Sequence, residues 1–131
     1  TIANSIAKKK LKRIGELGLS YKGDLKVSVL SKVIPLVKSL KKKKLNVKLF
    51  DPYFTKEEIK KAVNVETFKF PHQLTKFDCL IVTVNHKQFR ISSSKLKKYL
   101  KNCKFIIDHE GAWQNYNLAD KYYLTGASGW L

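Results

Sequence analysis

The chain has 131 residues, 44% of them hydrophobic, which suits one domain with its own core and excludes a disordered polymer. No apolar run approaches the ~20 residues that cross a bilayer, and no secretory leader pattern opens the sequence, so a cytoplasmic protein is expected. The formal net charge is +17, yet of 27 basic residues only Arg13 and Arg90 are arginine. Bidentate contacts to bases and phosphates favour arginine, so this lysine excess fits an AT-rich genome better than nucleic-acid recognition. The field would still draw phosphorylated ligands. The sequence starts at Thr1 and contains no Met, which suggests a piece of a longer polypeptide.

In chain order, Ile2, Ala3, Ile6, Ala7 and Leu11 recur at helical spacing with lysines on the far side. RIGELGLSY reads as a strand running into a glycine-bearing loop. A helix is expected over 31–44, with Val33, Leu36, Val37 and Leu40 on its apolar face and Ser31 as a candidate cap. Pro35 implies a kink there, or a start a few residues later. LNVKLF is a short strand ending at Asp51-Pro52. Thr55 and Glu58 have the spacing of a capping box for the helix that follows. ETFKF reads as a short extended piece, and 72–77 as a helical turn.

DCLIVTV is a nearly unbroken β-branched run, as in strands covered on both faces. SSSKLKKYLKN reads as a helix, KFIID as another buried strand, and YYLTG as a final one. Cys79 and Cys103 sit in or beside apolar runs, without zinc or redox spacing, and read as core thiols. Strands alternating with helices predict an α/β chain: a Rossmann-like three-layer sandwich with a mainly parallel sheet.

Ligands in such sheets bind outside the carboxyl ends of the strands. That selects four segments: Ser20–Asp24, Asp51–Tyr53, Asn85–Lys87 and Asp108–Glu110. Glycines 15, 18 and 23 do not form G-x-G-x-x-G, so dinucleotide binding by this chain alone is not expected. Without those glycines, Asp51 reads as a turn residue before Pro52. His86 ranks first among the three histidines as a ligand contact, because it follows the strongest strand. No nucleophile elbow and no metal-ligand spacing is present.

GLSYKGD, LFDPY, DCLIVTVNHKQF and FIIDHEGAW, in that order, resemble the C-terminal domain of the UDP-glucose/GDP-mannose dehydrogenase family, in the branch acting on UDP-N-acetylmannosamine. The resemblance spans about 10–130. It implies that residues 1–12 are the end of a linker helix from a preceding central domain, and that 13–131 form a UDP-sugar-binding domain. The parent enzyme would oxidise a UDP-sugar to a UDP-uronic acid with NAD, as in polysaccharide biosynthesis. Its NAD domain and catalytic cysteine would lie outside this chain, which alone would need no cofactor. The full-length protein would be a homo-oligomer, with no membrane partner. Carried over, Tyr21 is the aromatic beside the nucleotide and Lys22 the lysine that contacts it. Tyr21, Lys22, Gly23, Asp24 and His86 are the expected substrate-binding residues.

The sequence also departs from the pattern. Val29 stands where the family has an arginine that reaches toward NAD, Lys32 where it has a proline, and Glu110 where a basic residue is frequent. Glu16 falls mid-strand, where the family is apolar; buried, it would need a partner, and otherwise the strand end must be exposed. The competing expectation is a non-catalytic, lysine-rich α/β module that binds nucleic acid or another polyanion.

Overall fold

The computed structural model describes residues 1–125. Five strands form one sheet: β1 (Arg13–Leu17), β2 (Asn46–Phe50), β3 (Cys79–Val82), β4 (Phe105–Asp108) and β5 (Tyr122–Leu124). Their order is β2-β1-β3-β4-β5 and every adjacent pair is parallel. Four helices complete the fold: α1 (Ile2–Lys8), α2 (Val33–Lys42), α3 (Lys56–Val63) and α4 (Ser93–Tyr99). This is the expected three-layer α/β sandwich. Gly126, Trp130 and the rest of the expected domain end lie outside the described residues.

The period of two along each strand sorts side chains between two cores. Ile14, Cys79, Ile81, Phe105 and Ile107 face α1, α2 and α3, which contribute Ile6, Leu36, Leu40 and Ile59. Leu17, Leu80, Val82 and Ile106 face Leu96 of α4, Phe77, Phe89 and Trp113. Every residue of β3 and β4 is buried, which is why those runs are apolar at consecutive positions. Both cysteines are buried thiols, as expected.

α2 begins at Val33, later than the Ser31 start, and Pro35 falls in its first turn, where a missing N–H costs no intrahelical bond. The Ser31 hydroxyl accepts from Val33 N. The capping box of α3 is present, with Thr55 and Glu58 each accepting from the other's backbone N–H at 3.1 and 2.9 Å. Among the described residues no helix is long and apolar enough to cross a membrane.

The strand order determines where a ligand can enter. From β1 the chain passes over α2 to β2 on one side, then crosses back past β1 to β3 on the other. The connections leaving β1 and β3 therefore diverge, and a crevice opens between their carboxyl ends.

Candidate functional site

The loop after β1 turns at Gly18. Its φ is +107°, and a Cβ there would lie 2.5 Å from Val84 Cγ2, so both backbone and space require glycine. At Gly23 a Cβ would meet the Asn85 carbonyl oxygen at 2.6 Å. The loop thus lies directly against the segment that follows β3.

A buried hub fixes it there. Asp51, at the end of β2, accepts on Oδ2 from Leu19 N at 2.7 Å and Ser20 N at 3.1 Å, while the Ser20 hydroxyl, 3.3 Å away, gives its one proton to Leu25 O. Its Oδ1 accepts from Tyr53 N at 2.9 Å. His86 Nδ1 accepts from Asp24 N at 2.8 Å, which leaves the ring proton on Nε2 to donate to Asp51 Oδ2 at 2.9 Å. The Asp24 carboxylate in turn accepts from Lys87 N at 2.7 Å. Burial would raise the Asp51 pKa, but the hydrogen bonds from His86, Leu19 and Tyr53 outweigh it and hold the carboxyl below its ordinary value.

His86 is therefore placed differently from a ligand contact. Its ring is fully buried, with both nitrogens engaged, and it holds the loop from beneath. Tyr21 is 45% exposed and Lys22 is exposed, so both present their side chains outward from the loop it anchors.

Above the carboxyl ends of β1, β3 and β4 lies a cleft of about 200 Å³, lined by Ser20, Tyr21, Lys22, Lys32, Thr83, Val84, His109 and Glu110. Lys32 Nζ donates to His109 Nε2 at 3.3 Å, which leaves the ring proton on Nδ1, 3.3 Å from the Thr125 hydroxyl. Burial first, then the Lys32 charge, lowers the His109 pKa, so the imidazole is neutral. α2 starts next to Lys32, and the positive end of its dipole adds to the two ammonium groups. This set suits a phosphate.

Asp108 and Glu110, also expected near a ligand, serve the framework. Asp108 accepts from the backbone of Gly111, Ala112 and Trp113 and from the Tyr122 hydroxyl, closing the turn after β4. Glu110 accepts from Asn85 N at 3.1 Å at the rim of the cleft. A second depression, of about 190 Å³, lies at the opposite end of the strands around Arg13, Asn46 and Lys76. Arg13 is already committed there to Asp78 at 2.9 Å. Among the described residues no group of three His, Cys, Asp or Glu could hold a metal ion.

Glu16 is fully buried, which resolves the alternative posed by its mid-strand position: it has a partner. The Thr83 hydroxyl donates to its Oε2 at 2.8 Å, while Oε1 has no hydrogen-bond partner. Burial pushes its carboxyl well above the ordinary range, which the Thr83 bond opposes and the Asp51 charge reinforces. Sequence reasoning left Thr83 and Lys32 out of the site, placed His109 in a selected segment without naming it among the substrate-binding residues, and read Asp51 as a turn residue. The available signal was position, because each follows or faces a strand end at the crevice.

The family model for the UDP binding domain of the UDP-glucose/GDP-mannose dehydrogenase family matches residues 15–115, more than half of the chain. No curated protein matches. Among solved structures, the UDP-D-ManNAc dehydrogenase from Pyrococcus horikoshii superimposes with a TM-score of 0.70 at 18% identity, covering 95% of this chain and 28% of that one. The UDP-N-acetyl-mannosamine dehydrogenase from S. aureus gives 0.69 at 19%, covering 94% and 29%. The chain thus spans less than a third of either, and the likeness is one of fold.

Proposed function

The chain belongs to the UDP-glucose/GDP-mannose dehydrogenase family, as its UDP-binding domain, and from that premise we propose that the cleft above β1 and β3 takes the nucleotide of a UDP-sugar. The observation that carries this is the Tyr21-Lys22 pair, held outward at the crevice by Asp51 and His86 beside a second ammonium, Lys32. The Tyr21 ring offers a face to the base or sugar. Lys22 and Lys32 offer point charges to the diphosphate. Gly23 and Asp24 act by position: the first permits the close approach to Asn85, the second ties the loop to Lys87.

At about 200 Å³ the cleft is smaller than the ~300–1,000 Å³ typical of sites that enclose a whole small-molecule ligand. A nucleotide sugar held here projects its sugar toward whatever else completes the site. Both thiols are buried, and burial raises the pKa of Cys79 and Cys103, so neither is a nucleophile. The role of this domain is therefore binding. The parent reaction is the NAD-dependent oxidation of a UDP-sugar to a UDP-uronic acid, with the chemistry supplied by other domains.

The residues here do not fit a dinucleotide. Gly15 packs under Phe77 and Leu80, Gly18 against Val84, and Gly23 against Asn85, so none lines a phosphate cradle. No step through NAD is assigned to this chain.

Titration with UDP, followed by calorimetry and amide shifts, tests the site. Binding with shifts at residues 20–24 is expected, and Lys22→Ala should weaken it by about tenfold or more, the worth of one charge-assisted bond. No heat and no shifts in that loop would remove the assignment.

A further inference from the structure

Glu16 stands out on three counts. It is fully buried, one carboxyl oxygen lacks any partner, and its other oxygen contacts Thr83, which lines the cleft. In the sheet it is flanked by Leu49 of β2 and Ile81 of β3, so no cation pairs with it across either strand. The charged or titratable neighbours that act on it are Asp51 beyond β2, which disfavours its ionisation, and Cys79 on β3, whose own ionisation it disfavours.

The two protonation states leave Thr83 in different roles. An ionised carboxylate accepts only, so the Thr83 hydroxyl must spend its single proton on Oε2. It then has only lone pairs to show an anion. A neutral acid has a proton to give. Donated from Oε2 to Thr83 Oγ1, that proton satisfies the hydroxyl from behind and frees the Thr83 O–H to turn toward the cleft. The oxygen left unpartnered, Oε1, is then a carbonyl-type acceptor, which is less costly to orphan than a donor.

We infer that Glu16 is a positioning residue for the nucleotide cleft: as a neutral acid it donates to Thr83 Oγ1, and Thr83 thereby donates its own hydroxyl proton to an anionic oxygen of the bound ligand. The inference rests on the UDP reading of the cleft and adds to it a buried acid that selects donor or acceptor character at the cleft wall. No proton leaves the pair: binding reorients two O–H bonds. On the cleft side, Tyr21, Lys22, Lys32, His109 and Glu110 are the other charged or titratable groups.

The test is calorimetric titration of UDP into the full chain at pH 7.5, with Glu16→Gln, Thr83→Val and Thr83→Ser. At this pH the terminal phosphate has lost its second proton (pKa about 6) and uracil keeps its N3 proton, so the ligand is in one state. At pH 7.5, Thr83→Val should weaken UDP by about tenfold, the worth of a hydrogen bond to a charged group, and Thr83→Ser should restore it. In Glu16→Gln the side-chain amide keeps donating to Thr83 at any pH. Glu16→Gln should therefore bind UDP like wild type, whereas an ionised Glu16, which would hold the Thr83 proton, would make Glu16→Gln the tighter binder. A Thr83→Val chain that binds UDP like wild type overturns the inference alone, as does a Glu16→Gln chain that binds UDP several-fold more tightly than wild type. A wild type that does not bind UDP at all removes the UDP reading and this inference together.

Discussion

Replacing Asp51 by Asn tests whether the nucleotide loop is held by one buried carboxylate. The groups that bond to Asp51 are all donors: Leu19 N, Ser20 N and His86 Nε2 on Oδ2, and Tyr53 N on Oδ1. An amide offers one acceptor oxygen and turns an NH2 toward the other side. The least costly orientation keeps the oxygen on the Leu19–His86 side and places NH2 against Tyr53 N. That forfeits one charge-assisted bond, worth about 1.5–3 kcal/mol, and reduces the others to neutral strength, about 0.5–1.5 kcal/mol each. Relief from burying a charge offsets part of this. The net expectation is a loss of about 3 kcal/mol, against the ~5–15 kcal/mol that holds a typical domain.

Urea unfolding at pH 7 measures the loss. Hydrogen exchange adds location: the amides of Leu19, Ser20 and Asp24 should exchange faster, and UDP affinity should fall with them. The sign with pH follows from the depressed folded-state pKa. The stabilisation is complete above the unfolded carboxyl value near 3.8 and is lost as pH falls through the folded one, so the two proteins converge below that lower value. A variant within about 0.5 kcal/mol of wild type at pH 7, with unchanged loop exchange, would refute the hub.

Three further expectations are open to direct measurement. Gly18→Ala forces a side chain into φ +107° and 2.5 Å from Val84 Cγ2, for a cost of about 2–4 kcal/mol in denaturant unfolding; adding Val84→Ala should return only the steric part. Arg13→Gln should raise the Asp78 carboxyl, now held at about 2 chiefly by the Arg13 hydrogen bond, toward the ordinary range in a carbon-detected NMR titration, and an unchanged value would show that the backbone N–H donors suffice. Glu16→Gln should be the more stable protein at neutral pH, because a folded carboxyl pKa above the unfolded one makes wild-type stability fall as pH rises past ~4.5, by up to about 1.4 kcal/mol per pH unit; a difference that does not grow with pH contradicts burial of an ionisable acid.

The fold was legible because each buried strand carries its own pattern. CLIV and FIID are buried at every position, and only a strand covered on both faces is built that way. Thr55 and Glu58 announced their helix through a local two-bond motif that needs no distant partner. His86 was harder. Its place after the strongest strand pointed to the crevice, and the structure puts it there. Which way the ring faces depends on Asp51, 35 residues away, and on the Asp24 N–H, 62 residues away. No local pattern carries that information. Asp51 was hidden for the same reason: its donors come from the loop after β1, its own turn and the loop after β3, and one-dimensional spacing shows only the proline beside it.

The loop from Gly18 to Lys32 divides at Asp24, and the division has a physical basis. Residues 18–24 are tied to Phe50, Asp51, His86 and Lys87 by hydrogen bonds to the main body. The backbone of residues 25–30 bonds back onto the loop itself, through Tyr21 N to Val27 O and the Ser20 hydroxyl to Leu25 O, while the Lys26 side chain reaches Glu58 of α3 at 2.7 Å. Val29, at the position where the family pattern carries an arginine, is 71% exposed, and Leu30 is 76% exposed at φ +65°. An apolar side chain there offers no charge to a ligand; the cations at the two ends of the segment are Lys22 and Lys32. Both line the same cleft, about 200 Å³ in volume. On the UDP reading of the cleft, Lys32→Ala should weaken UDP about as much as Lys22→Ala and leave uridine unaffected, because an ammonium meets phosphate as a point charge and has no planar fork for a base. Equal loss of uridine and UDP would place Lys32 at the base instead, and the phosphate would then depend on Lys22 and the start of α2.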